Sequence, residues 1–472
     1  MGWDEDMHQA LVWVKNVTGL DRAIFFTILA RSWSAVAGTV TVALIARFLS
    51  PAEQGYYYTF ASLVAAQVVF ELGFSFVILQ MAAHERARLS RFDNIAVEGD
   101  PIAVRRLGSL FQKAIRWYTR LAVFMAVSVT IGGILFFHAN QQRSGSIKWL
   151  LPWILDVLAA SLMFQIDPII SFLEGCGWVS SVARMRFFQA VFGSLLAWGC
   201  LAMHHGLFSP AFMILGQATI GLVFLIKGFG GLLRFLYSHD SGSDNISWRN
   251  EIWPFQWRIA VSWACAYLIF QLFNPVVFVF QGPVMAGRVG MSLSICNSVA
   301  AIALSWISTK AAIFGTHVAK KQIYLLDRLF QKVVVQSTSL LFFAQTAVIT
   351  SIYVVTRYVP HFASRIIPIP DFIILSATFL LSHVVICIAY YIRAHKQEAF
   401  IFYWVLIAAF SCLAITFSCK WWGVLGVTIA YLISGGLLRL AAAIYVFLDR
   451  RRVWYGRRYM IRRRRDSSLA LE

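Results

Sequence analysis

Residues 24–46, IFFTILARSWSAVAGTVTVALIA, and residues 56–80, YYYTFASLVAAQVVFELGFSFVILQ, decide the fold. Each is long and apolar enough to cross a bilayer, which takes ~20 predominantly apolar residues in a helix. Each also holds one ionised residue well inside it, Arg31 and Glu71, about nine residues from the polar residue (Arg22, Gln80) that closes the run on the same side. The two charges therefore lie at similar depth. A charge there costs at least ~2.5–3.5 kcal/mol on insertion scales, so it is paired or faces an aqueous cavity. A structural ion pair and a site for a charged solute are the two readings this leaves.

Twelve such runs can be placed, at approximately 24–46, 56–80, 118–138, 149–172, 185–204, 208–233, 258–280, 289–314, 333–356, 369–392, 398–419 and 422–448. Composition agrees: 59% hydrophobic, 13% charged, mean hydropathy +0.69, against roughly 25% charged residues in soluble domains. The longest connection, 81–117, is too short for a soluble domain. The fold class expected is an all-α polytopic membrane protein.

Lysine and arginine orient it. Of the 41, 31 fall on the side shared by the termini and the even-to-odd connections, and seven in the opposite loops. Both termini are thus expected in the cytoplasm. Arg31, Lys227 and Arg439 lie within spans. The net charge of +19 is mostly this topology and no sign of nucleic-acid binding. The basic tail from Arg450 to Arg465 follows the last span directly, where anionic headgroups attract each basic residue by ~1 kcal/mol. The segment before the first span shows no cleavable signal pattern, and Ala10–Val14 within it fits a short interfacial helix. The seven cysteines show no CxxC spacing and read as packing residues.

The chain repeats itself. Pro51-Ala52-Glu53-Gln54-Gly55 precedes the second run, and Pro283-Val284-Met285-Ala286-Gly287-Arg288-Val289-Gly290 precedes the eighth, the same ordinal place in each set of six. Gly206-Leu207-Phe208 and Trp422-Gly423-Val424 each open the last helix of a half. Six is even, so the halves enter the membrane in one direction, a parallel repeat about an axis along the membrane normal. The expected division is 1–23 cytoplasmic segment, 24–236 N-lobe, 237–257 linker, 258–448 C-lobe and 449–472 basic tail.

Polar residues form stripes. Thr27, Arg31, Ser34, Gly38 and Thr41 share a face of helix 1; Gln67, Glu71 and Ser75 share one of helix 2; Ser294, Ser298, Ser305 and Ser308 share one of helix 8, with Lys310 near its inner end. Helix 7 offers Tyr267, Gln271 and Asn274. For the small and hydroxyl residues close helix packing is sufficient reason; packing does not require a guanidinium at Arg31. Asp156 and Asp167 share a face of helix 4, ~16 Å apart along its axis. Asp167-Pro168 suggests a local break, since proline removes a backbone donor, and Asn274-Pro275 in helix 7 invites the same reading. His383, inside helix 10, is a candidate for proton movement or a hydrogen-bonded structural residue. There is no Walker A loop, no HExxH motif and no acidic cluster suited to a metal site; no enzyme, metal or cofactor is expected.

The stretch from Ala46 to Tyr57 resembles the opening of polysaccharide-biosynthesis transporters, in which the first helix ends in a pattern near R-x-L-x-P-x-E-x-G-x-Y/F. Arg47, Leu49, Pro51, Glu53, Gly55 and Tyr57 occupy those positions, and the likeness continues through Phe70-Glu71-Leu72-Gly73-Phe74-Ser75. In length and layout the chain is similar to Wzx-type lipid-linked oligosaccharide flippases of the multidrug/oligosaccharidyl-lipid/polysaccharide exporter superfamily. The resemblance implies a MATE-like, V-shaped fold of two six-helix lobes working by alternating access in a bacterial inner membrane. The cargo it implies is an oligosaccharide on undecaprenyl diphosphate, moved to the periplasmic leaflet, with a polymerase or glycosyltransferases as further partners. It also implies cavity cations on the diphosphate, for which Arg31 and Lys310 are the candidates beside Gln67, Gln271 and Asn274. Glu71, Asp156, Asp167 and His383 are candidates for coupling or charge pairing, with Glu71 expected to hold Arg31 in the empty protein. Taking Gly55 against Gly290, the counterpart of Arg31 is Ala266, so the cavity is less basic than symmetry would give. Two alternatives stand: a cation-coupled multidrug exporter working through Glu71, Asp156 and Asp167, and a non-transporting scaffold of a glycan assembly complex.

Overall fold

The first apolar run forms one helix, α1 (Arg22–Phe48), followed by a turn that sets the next helix going. Ser50 accepts from the Glu53 N–H at 3.2 Å and Glu53 accepts from the Ser50 N–H at 2.8 Å, a reciprocal cap, with Pro51 in the first turn where a missing N–H costs nothing. The glutamate of the family-like pattern thus has a local structural role. The structure is a computed structural model that describes residues 22–93, 97–140, 147–238, 253–358, 360–395 and 400–468. Ala10–Val14 and most of the 237–257 segment lie outside the described residues.

The second run is broken into α2 (Pro51–Val64), α3 (Gln67–Glu71) and α4 (Phe74–Arg86). Leu72 (φ 54°) and Gly73 (φ 67°) are both left-handed, and the chain bends by 45° there. A Cβ on Gly73 would lie 2.2 Å from Ile259 Cγ2, so glycine serves both the bend and a close approach. A two-stranded antiparallel hairpin, β1 (Leu89–Phe92) with β2 (Val97–Gly99), follows. Then α5 (Pro101–Ala139) starts well before residue 118, capped by Asp100, which accepts from the Ile102 N–H at 2.9 Å. Its 39 residues make ~58 Å of helix, so its basic first turns extend beyond a ~30 Å hydrocarbon core.

Next come α6 (Leu150–Gly175), α7 (Val179–Ala202), α8 (Ser209–Val223) and α9 (Phe229–Ser238), the last two joined by a π-helical turn at Phe224–Gly228. Contrary to the break expected at Asp167-Pro168, α6 runs continuously past Pro168. Helix 7 is broken, into α10 (Trp253–Phe270) and α11 (Phe273–Gln281). The break begins at Gln271, four residues before Pro275, where the proline ring opposes a continuing helix. Helix 8 divides into α12 (Pro283–Ser308) and α13 (Ala311–Ala319). After these come α14 (Ile323–Tyr358), a short α15 (Pro360–Ala363), α16 (Ile369–Ala394) and α17 (Ile401–Tyr431). A π-helical segment, Leu432–Leu438, leads into α18 (Arg439–Ser468).

Ten described helices are long and apolar enough to span, and the bent pair around Gly73 adds an eleventh. Residues Ile401–Tyr455 count there as one helix of 55 residues, ~80 Å and far too long for one crossing. Gly423 (φ 61°, ψ −142°) lies inside it in non-helical backbone that favours glycine, and splits it into two. Twelve spans result, and the protein is an all-α polytopic membrane protein.

By packing, the described helices fall into two compact units: the chain up to Tyr267 with Gly282–Gly290, and Leu268–Gln281 with the chain from Met291. The first is built around Phe74, Leu107, Phe111, Tyr118, Phe172 and Leu232; the second around Ile307, Phe314, Leu326, Tyr391 and Ile392. Each unit contains a bent helix, a long helix running past membrane thickness, and a last helix with a π-helical turn.

Candidate functional site

Within the first unit, α1 packs on α7 through indole N–H groups. Trp33 Nε1 donates to Ser194 Oγ at 3.0 Å, and Trp198 Nε1 donates to Thr41 Oγ1 at 2.8 Å. Thr41, at the end of the polar stripe, is thereby a packing residue. Further in, Thr27 and Ser34 return their hydroxyls to the carbonyls of Ala23 and Ala30, at 2.7 and 2.8 Å. Both are exposed, and so is Arg31 between them.

Glu71 closes α3 and is half-buried. It hydrogen-bonds Ser75, the next stripe residue, and Ser75 Oγ lies 3.0 Å from Tyr118 Oη on α5. Tyr118 and Asp167 are both within electrostatic reach of Glu71. Ser75 is thus the hydrogen-bond partner shown for Glu71. The bend at Leu72-Gly73 ends α3 at Glu71 and brings Ser75 of the following segment to its carboxyl group, so the acid is engaged inside its own polar cluster. Asp167, exposed on α6, has Arg186 within electrostatic reach, and Arg186 Nη2 donates to Glu174 Oε2 at 2.9 Å. Gln67, at the start of α3, is half-buried.

Asp156 is separate from this group, at 1% exposure, with Oδ1 lacking a hydrogen-bond partner and Tyr57 within electrostatic reach. The sequence puts Asp156 and Asp167 on one face of one helix; the structure seals the first and exposes the second.

In the second unit, Gln271 is half-buried at the break between α10 and α11, and Asn274, in the first turn of α11, is buried at 1%. Lys310 is half-buried at the break between α12 and α13. Ser298 and Ser308 of the helix 8 stripe donate to Ser294 and Ser305 carbonyls, at 2.9 and 3.1 Å. His383 Nε2 lies 2.9 Å from Ser337 Oγ and 3.6 Å from Cys387 Sγ, a hydrogen-bonded contact between α16 and α14.

Sequence reasoning passed over Arg439 as a site. It is 6% exposed, and its guanidinium carbon lies 4.7 Å from the Phe270 ring centroid and 5.0 Å from that of Trp404. The available signal was its position inside a span, shared with Arg31 and Lys227. Among the described residues no cluster of three His, Cys, Asp or Glu suited to a metal ion occurs.

No protein-family model and no curated protein sequence matches this chain. Solved structures do. An inward-facing multidrug resistance MATE family transporter of the MOP superfamily aligns with a TM-score of 0.61 at 11% identity, over 89% of this chain and 96% of that one. The eukaryotic MATE transporter AtDTX14 aligns at 0.59 and 11% identity, covering 90% and 94%. An outward-facing member of the same MATE family aligns at 0.51 and 14% identity, covering 96% of both chains. At such identities the likeness is one of fold: this chain has the fold of MATE transporters of the MOP superfamily.

Proposed function

We propose that this protein is a transporter of alternating-access type that moves an undecaprenyl-diphosphate-linked oligosaccharide from the cytoplasmic to the periplasmic leaflet of a bacterial inner membrane. Two considerations support the transporter class: the fold is that of solved transporters captured facing inward and outward, and residues 47–57 carry the opening pattern of polysaccharide exporters. The cargo is argued from one contrast. Arg31 is exposed within a span while Glu71 is engaged with Ser75 and Asp156 is sealed. An anionic cargo suits that arrangement better than the cationic drugs the alternative reading requires, although Asp167 remains open.

In this reading Arg31 holds the diphosphate, because a guanidinium stays charged and matches phosphate oxygens in a bidentate fork. Lys310 is a second cation, without the fork. The polymerase and glycosyltransferases that supply and consume such a cargo are the partners in this proposal, with both termini on the cytoplasmic side.

The test is a host strain carrying Arg31→Ala or Arg31→Lys at matched membrane levels, with lipid-linked oligosaccharide measured in the cytoplasmic leaflet. Accumulation in both variants, greater with alanine, is expected. Normal export with Arg31→Ala removes the assignment. Drug hypersensitivity without oligosaccharide accumulation favours the multidrug reading, and effects on abundance alone favour the scaffold.

A further inference from the structure

Arg439 is a fixed positive charge inside the second unit, and among the described residues no acid pairs with it. It is 6% exposed, Nε and Nη1 are buried without hydrogen-bond partners among the described residues, and the Tyr431 phenol lies within electrostatic reach. What surrounds the charge is aromatic, the faces of Phe270 and Trp404 at 4.7 and 5.0 Å. Two desolvated cation–π contacts offset part of the cost of placing the charge in the membrane and leave the N–H donors unmet. Donors buried without acceptors are costly, and an apolar side chain would fill the space between two rings without that cost.

The local backbone is unusual at the same point. Leu432–Leu438 is π-helical and ends at Arg439, and Ser382 Oγ donates to the Gly435 carbonyl inside it at 3.2 Å. Such turns recur at functional sites. Phe270 is the last residue of α10, where helix 7 breaks. The arginine thus contacts one irregular helix end and follows directly on another.

We propose that Arg439 is an anion receptor held in reserve by its two aromatic neighbours, and that its ligand is the phosphate of a lipid passing through the membrane. Asp449 begins the charged end of α18, ten residues beyond Arg439, which puts Arg439 ~15 Å from that end. Resting phospholipid headgroups do not lie so deep, whereas the phosphate of a lipid being transferred passes that depth. The exposed Leu437 and Leu438 beside it offer apolar surface to the lipid chain. When the phosphate arrives, the guanidinium exchanges ring contact for charged hydrogen bonds, which changes the surroundings of the Trp404 indole. The choice of a lipid phosphate rests on the flippase reading; the anion site itself does not.

The experiment uses the full-length protein in neutral detergent, titrated with a C15 prenyl diphosphate, the matching neutral prenol and inorganic pyrophosphate. Affinity is read by native mass spectrometry, and Trp404 by the fluorescence difference between wild type and Trp404→Phe. The prenyl diphosphate is expected to bind saturably with a change in the Trp404 component, and the prenol is expected to produce no such change. Arg439→Gln should weaken diphosphate binding at least tenfold. Arg439→Lys, which keeps the charge and loses the fork, should weaken it several-fold and serves as the deciding variant if glutamine does not fold. Arg31→Ala should retain the fluorescence change, so this site can stand when the export assignment fails. Equal effect from pyrophosphate alone would identify a free anion as the source and still support the receptor. Unchanged affinity in both Arg439 variants overturns the proposal, as does a Trp404 signal that ignores the diphosphate.

Discussion

Gln54 Nε2 donates to the Gly287 carbonyl at 2.8 Å, joining the two Pro/Gly-bearing turns at 51–55 and 283–290. Gly55 lies so close to Pro283 that a Cβ on it would sit 1.9 Å from the Pro283 carbonyl oxygen. The obstacle is backbone on both sides, so nothing flexible can yield. Gly55→Ala should destabilise the protein by about 3 kcal/mol or more, the upper range for an overpacked site. Gly132→Ala, where nothing lies within 4 Å, should be neutral or stabilising by ~0.5–1 kcal/mol, as expected for a helix interior. Thermal unfolding of the two purified variants checks the pair, and similar midpoints would contradict the packing described.

Arg451 on α18 pairs with Asp327 on α14, both about 5% exposed, and Tyr391 on α16 donates to the same carboxylate at 2.8 Å. Removing one member leaves a buried charge alone. Asp327→Ala should cost about 3–5 kcal/mol, whereas the double change Asp327→Leu with Arg451→Met should recover most of that loss. Denaturant unfolding of the single and double variants measures the difference. Additive losses would show that the pair does not act as a unit.

His395, just beyond α16, stacks on Trp454 at 3.8 Å and lies 2.7 Å from the Tyr455 hydroxyl. Burial lowers its pKa below the ordinary value of 6.5; Arg451 works the same way, while the Tyr391 carbonyl and Asp327 oppose it. The folded state then binds fewer protons than the unfolded state below that value. Its contribution to stability is present above pH 6.5 and is lost as pH falls through the lowered folded pKa. His395→Gln should flatten that part of a stability profile between pH 7 and pH 5. An unchanged slope would place the titration elsewhere.

The twelve spans were legible because length and apolarity alone define a crossing. Local chemistry that competes with the apolar pattern was harder to read. Pro168 suggested a break that α6 does not make, while Leu72, a residue with no turn signature, adopts left-handed backbone beside Gly73. Pro275 did mark a disruption, displaced four residues upstream to Gln271. The site residues were visible as charges in apolar runs, but their partners were not. Helical spacing put Glu71 and Ser75 on one face, and only the bend between them sets which groups that face meets. Arg439 was countable as an intramembrane cation, yet the rings that enclose it come from helices distant in sequence.

Because Glu71 hydrogen-bonds Ser75 while Arg31 is exposed on α1, their replacements should behave differently. Glu71→Gln retains a group able to bond Ser75 and should leave transport within about twofold of wild type, while Arg31→Ala should reduce it at least tenfold. Polymer export at matched membrane levels checks the comparison. Equal loss from both would indicate that the two residues work as a charge pair during the cycle.

The central claim is that this chain moves a prenyl-diphosphate-linked sugar across a bilayer. Its most direct test is reconstitution of the purified protein into liposomes with a fluorescent short-chain prenyl-diphosphate oligosaccharide, scoring the fraction that becomes accessible to a membrane-impermeant quencher. The account predicts transfer well above that of protein-free liposomes and a drop of at least tenfold with Arg31→Ala. Transfer no faster than in empty liposomes, from protein shown to be folded, would contradict it.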